Sequence, residues 1–194
     1  MIENILTARN ASFKSKLSVK SVLSIGIITL SVVLPQLIHL ALGRSGGIQW
    51  MPMYMPVLIG GCLMGARWGT VIGAAAPIAS FIITSSMENP MPSVERLPFM
   101  LVELAVFAAV SGFFSRRIYK SSWISFPAVL LAQVCGRAAF LFTVFMFQSS
   151  VALTVETAWQ QIRAGFAGML AQAVIVPFII IGLKALLNRN KSNE

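Results

Sequence analysis

Glu103 and Arg137 are the two full charges set deep inside long apolar runs of this chain, and their signs are opposite. A charge at bilayer depth costs on the order of 2.5 to 3.5 kcal/mol even on the mildest insertion scale, so such residues face a cavity, a partner or a ligand. Two chemistries are open to the pair. A mutual salt bridge could stitch two helices together, with Gln133, one turn before Arg137, or Gln172 completing the hydrogen bonds. Alternatively each charge orients a polar ligand from its own position, the planar guanidinium of Arg137 being suited to a carboxylate or phosphate. We favour the ligand reading. A proton relay has less behind it, because relays use several carboxylates and histidines and this bundle offers one of each.

Around that pair stand further side chains able to contact a small molecule. His39 lies near the end of the first apolar run, where it is either a hydrogen-bonded packing residue or a polar ligand contact. Trp50, Tyr54, Phe107 and Phe140 could stack on a flat heteroaromatic ring. Enzyme chemistry finds no support, and no catalytic residue is assigned: there is no GxSxG elbow, no pair of intramembrane aspartates and no nucleophile with a base beside it. No CxxC, HExxH or histidine-rich tract suggests a metal, and no cofactor is expected. Cys62 and Cys135 both sit in apolar runs, as small buried hydrophobes do.

The elements that must position these residues follow from composition. Of 194 residues 57% are hydrophobic and only 11% charged, and the mean hydropathy is +0.81. A membrane-crossing helix needs roughly 20 apolar residues, which leaves no length for a soluble catalytic domain. The chain therefore reads as an all-α polytopic membrane protein, one integral domain over residues 1–194. It forms a six-helix transmembrane bundle with segments at about 18–42, 51–65, 69–86, 97–114, 122–148 and 160–187. No small-residue cleavage site follows the first run, so that helix is expected to be retained. The second segment is short and opens on Met51-Pro52-Met53-Tyr54-Met55-Pro56, where two prolines predict irregular backbone lining a cavity.

Charge sets the orientation. Eleven basic residues, at the termini and at Arg67, Arg116, Arg117 and Lys120, fall on one side, against Arg44, Arg96 and Arg163 on the other. The positive-inside rule puts both termini in the cytoplasm of a multi-pass cell-membrane protein. Loops 43–50, 87–96 and 149–159, holding Glu88, Glu95 and Glu156, are then external. The net charge of +9 is on this reading a topology signal, and no nucleic-acid partner is expected.

Two glycine patterns complete the sequence picture. Gly61, Gly65, Gly69 and Gly73 recur every fourth residue with Pro77 at the next step, so they share one helix face that another backbone can approach closely. That face either packs inside the bundle or docks a partner subunit, and Gly69 and Gly73 are the candidates for docking. Gly43, Gly46 and Gly47 make the first external loop permissive, as a ligand lid or a plain connection would be.

The stretch from Met51-Pro52-Met53-Tyr54-Met55-Pro56-Val57 to Gly61, followed by Gly65, Gly69, Gly73, Pro77 and Ser80, resembles a motif of one transporter family. It is similar to the PMH-x-PV-x-x-x-G … GxxxGxxxGxxxP region of the substrate-binding S components of energy-coupling factor (ECF) vitamin transporters. Met100-Leu101-Val102-Glu103-Leu104 looks like that family's fourth helix with its membrane glutamate, and Gly136-Arg137 like the Gly-Arg of its fifth. Two departures stand out. Tyr54 replaces the usual histidine, and the first helix has only Ser21, Ser24 and Gly26 where many relatives carry an Ala-x-x-x-Ala docking face.

The resemblance implies a binding subunit that captures a vitamin or related micronutrient outside a prokaryotic plasma membrane. It also implies partners: a membrane coupling subunit and two cytoplasmic ATPases. The alternative is a stand-alone secondary carrier for a small polar or aromatic solute. Substrate-binding candidates are Glu103, Arg137, Tyr54, Trp50, His39, Gln133 and Phe107, and docking candidates are Gly69, Gly73 and Ser21.

Overall fold

A computed structural model of the chain describes residues 1–2, 12–86, 90–149 and 153–189. Arg9, Glu88, Lys191 and loop positions 150–152 lie outside the described residues, as do the side chains of Arg44 and Ser45. The described chain is all helical. Its elements run α1 (Phe13–Trp50), α2 (Tyr54–Met64), α3 (Ala66–Ser85), α4 (Leu97–Phe113), α5 (Ser115–Lys120), α6 (Ser125–Phe147), α7 (Val155–Ala164) and α8 (Phe166–Arg189). A single 3-10 turn, Ser122–Ile124, leads into α6.

Among the described residues, four stretches are long and apolar enough to cross a membrane: Lys14–Gly43, Ala66–Ser85, Ser122–Phe147 and Phe166–Leu186. Leu97–Phe113 is a shorter apolar helix. Large apolar side chains cover the outside, among them Val22, Ile25, Leu40, Val134, Phe142 and Phe178. An apolar surface this extensive needs a lipid solvent. Inside, α2 is apolar nearly all round and buried over most of its surface, with Val57, Leu58 and Cys62 fully enclosed and Met55 and Ile59 partly so, as a helix without a polar face must be. At 11 residues it is about 16 Å long, half the depth of a bilayer core.

Three details differ from the sequence expectation. Irregular backbone is confined to Met51–Met53, where Met51 has φ 44°. Tyr54 then opens a regular helix, and Pro56 is tolerated because the first-turn N–H groups have no intrahelical acceptor. The glycine-rich loop 43–50 is largely helical: Gly43, at φ 70°, breaks α1, and the chain resumes a helix to Trp50. The last apolar segment does not begin at 160, because residues 155–164 form the separate helix α7. Thr154 and Thr157 cap α7 reciprocally. Its apolar Ala158 and Ile162 are buried while Glu156, Gln160 and Arg163 face out, so it packs across the end of the bundle instead of extending α8.

Three of the four glycines of the ladder are covered from within. Cβ atoms at Gly69 and Gly73 would lie within 3 Å of the α4 carbonyls of Ala108 and Leu104, and one at Gly61 would collide with Ser111. Gly61, Gly69 and Gly73 let α2 and α3 sit backbone-to-backbone on α4, the small-residue packing that replaces hydrophobic drive in lipid, while a Cβ at Gly65, in the turn between the two helices, would meet nothing within 4 Å. Gly69 and Gly73 are therefore covered by this chain itself and expose no face to a partner. Ser21 lies half-buried on α1, whose Lys14–Gly43 stretch is the most exposed of the four candidate spans.

Candidate functional site

Glu103 on α4 and Arg137 on α6 meet. The Arg137 Nη1 to Glu103 Oε1 distance is 2.6 Å, and both side chains are almost wholly enclosed. The second carboxylate oxygen accepts a 2.7 Å hydrogen bond from the Tyr54 hydroxyl at the start of α2. The Arg137 guanidinium lies 4.9 Å from the Tyr54 ring centroid and 5.9 Å from that of Phe107. These two rings in turn meet edge to face at 5.2 Å. Arg137 also donates from Nε to Met169 Sδ at 3.2 Å and from Nη2 to Met51 Sδ. Aromatic faces and sulfur atoms thus surround the cation on the sides that the carboxylate does not cover, which is how a charge becomes tolerable in a dry interior.

Local sequence explains the convergence. Gly136 has no side chain where a Cβ would collide with the Phe107 ring, so α6 can bring Arg137 up to α4. Gln133 donates to the Met169 carbonyl at 3.0 Å, tying α6 to α8, and does not bind Arg137. Gln172 donates to the carbonyls of Trp50 and Met51 at 2.9 and 3.0 Å. The Trp50 carbonyl ends α1, and the Met51 carbonyl also accepts from the Tyr54 N–H at 3.1 Å, so α8 closes the α1–α2 turn that carries Tyr54.

Above the pair, at the end of the bundle holding Met51, lies a cavity of about 450 Å³. Tyr54 is in its wall, and so are His39, Gly47, Ser80, Glu95 and Gln161. Met51, Met53, Met91 and Met100 supply polarizable apolar wall. The segment carrying Met91 is pinned to α3: Ser80 donates to the Met91 carbonyl at 2.8 Å, and the Met91 N–H donates to Thr84 Oγ1 at 2.8 Å. Two polar atoms of the wall, His39 Nδ1 and Gln161 Oε1, are buried without a hydrogen-bond partner among the described residues. Such an atom costs about 1 to 3 kcal/mol unless something bonds it. Turned toward the cavity, either side chain can bond a polar solute there.

The predicted contact residues therefore separate into two layers. His39 and Tyr54 line the cavity. Glu103, Arg137 and Phe107 lie beneath it, joined to it through the Tyr54 hydroxyl and the Met51 sulfur. Trp50 is 42% exposed and outside the cavity wall, contributing only its backbone carbonyl to Gln172. Phe140 belongs to a separate apolar cluster with Phe99 and Val144. Sequence reasoning missed several wall residues as contacts, among them Ser80, Glu95, Arg96 and Gln161, and for Gln161 a signal existed. That signal was the one-sided polarity of 155–164, hidden by assigning residues from 160 onward to a membrane span.

A buried polar core beneath a half-open cavity, inside a lipid-exposed helical bundle, defines a membrane-embedded small-molecule binding protein. The family model for the ECF transporter substrate-specific component matches residues 17–187. The chain belongs to this family, whose members are substrate-binding subunits of membrane transporters and not enzymes. No curated protein and no solved structure gives a match.

Proposed function

We propose that the chain captures a vitamin-class micronutrient or its precursor in the cavity beside Met51 and releases it to a membrane coupling subunit driven by two cytoplasmic ATPases. The observation that carries this reading is the meeting, in one cavity wall, of Tyr54 with His39 and Gln161, each of which holds an unpartnered polar atom. His39 and Gln161 hydrogen-bond the solute, and the methionines pack its apolar faces. Glu103 and Arg137 act at one remove by fixing Tyr54. Identification of the copurifying solute by mass spectrometry tests the proposal directly. His39→Ala and Gln161→Ala should each weaken its binding about tenfold, the worth of one hydrogen bond to a buried group. Unchanged affinity in both variants would move the site elsewhere.

In this reading the cavity faces outward, six apolar segments form one domain in a prokaryotic plasma membrane, and both termini are cytoplasmic. The basic residues Lys20, Arg67, Arg116 and Arg117 gather at the end opposite the cavity, which supports that orientation. A cysteine replacing Glu156, in a chain lacking Cys62 and Cys135, should react with an impermeant maleimide added to intact cells. One replacing Lys120 should react only after the membrane is opened. The reverse pattern would invert the topology.

A further inference from the structure

The end of the bundle away from the solute cavity holds a second cavity, about 670 Å³, whose charged side chains, among the described residues, are all basic. Lys20 from α1, Arg67 from the first turn of α3, and Arg116 and Arg117 from α5 all line it, and among the described residues no carboxylate does. Among the described carboxylates, Glu95 lies in the wall of the other cavity, Glu103 in the core and Glu156 on α7. Arg67 and Arg116 have no carboxylate partner among the described residues.

Backbone geometry adds to the charge. Gly65, at φ 88°, turns the chain abruptly from α2 into α3, and α3 starts with no side-chain cap. Gly65, Ala66, Arg67 and Trp68 line the cavity, so the positive end of a 20-residue helix is set beside the four cations. Gly112 allows this packing, since a Cβ there would lie 2.6 Å from the Ala66 nitrogen.

The rim is apolar on one side. Phe113 lines the cavity and is 73% exposed, and the half-buried Trp68 stands on the same wall. Cations within the cavity and an exposed aromatic ring at its lip match an amphiphile, with an anionic phosphate held by guanidinium forks and hydrocarbon running along Phe113. A free phosphate uses the first feature and leaves the second without a role.

We propose that this cavity binds the headgroup of an anionic phospholipid from the adjacent leaflet, tying α1, α3 and α5 together at that end of the bundle. The test is quenching of Trp68 by lipids brominated on their acyl chains, in vesicles of phosphatidylcholine, with Trp50, Trp123 and Trp159 replaced by Phe. Brominated phosphatidylglycerol should reach half-maximal quenching at about one-tenth the mole fraction that brominated phosphatidylcholine needs. The preference should vanish in Arg67→Gln/Arg116→Gln and persist when millimolar inorganic phosphate is added.

Equal quenching by the two lipids would overturn the proposal, as would a preference that survives the double substitution. Abolition by inorganic phosphate would assign the cavity to a soluble anion and equally overturn it. Should the single-tryptophan chain fail to fold, mass spectrometry of the intact wild-type protein takes its place. Phosphatidylglycerol adducts retained from mixed micelles should exceed phosphatidylcholine adducts and fall about tenfold in the double variant. Equal retention of the two lipids would sink the idea.

Discussion

Glu103→Gln alone is expected to destabilise the protein by about 3 to 5 kcal/mol, and Arg137→Gln to do the same, while the double variant recovers most of the loss. The 2.6 Å ion pair is enclosed on all sides, so removing one member leaves the other charged with no water to take its place. The two losses have different local consequences. Without Glu103, Arg137 keeps only rings and thioethers around it. Without Arg137, Glu103 keeps the Tyr54 hydroxyl but has no counter-ion. Thermal unfolding of the three variants in detergent measures the coupling. A double variant less stable than either single would show that the charges act separately. Solute affinity should follow Tyr54, because its hydroxyl joins Glu103 to the cavity wall, beside the Arg137 contact with Met51; Tyr54→Phe should weaken binding while sparing much of the stability.

Gly73→Leu is expected to abolish folding. The added Cβ would collide with the Leu104 carbonyl and come within about 3 Å of the Ala105 nitrogen, and neither backbone can yield without separating α3 from α4. Overpacking of this kind typically costs 1 to 3 kcal/mol where side chains can move, and more where the obstacle is main chain. Gly26→Leu is the control, for a Cβ at Gly26 meets nothing within 4 Å. That variant should fold and bind solute normally. If it also loses copurification with the coupling subunit, the exposed face of α1 carrying Ser21 and Gly26 is the docking surface. Normal expression and melting of Gly73→Leu would show that α3 and α4 do not pack as described.

Class and family were legible in the sequence because they rest on local properties. Apolar runs of membrane length specify helices in lipid whatever their neighbours do, since each backbone group must be satisfied within its own segment. The repeat Gly61, Gly65, Gly69, Gly73 marks a close-packed face in the same local way, but which helix fills that face is a tertiary matter. The answer, α4, turned a docking candidate into interior packing.

The partnership of Glu103 and Arg137 was equally beyond the sequence. Their depths along separate helices do not fix their separation; the Gly136 and Phe107 contact that draws α6 to α4 does. Gln161 was invisible as a wall residue because its place depends on α7 folding across the bundle end. That follows from a Thr154–Thr157 cap and a break at Gly165, neither of which alters the average hydropathy of the run. Residue types told which side chains carry chemistry. Only the packing of backbone on backbone decided that Tyr54, His39 and Gln161 share a cavity, with the two charges paired beneath it.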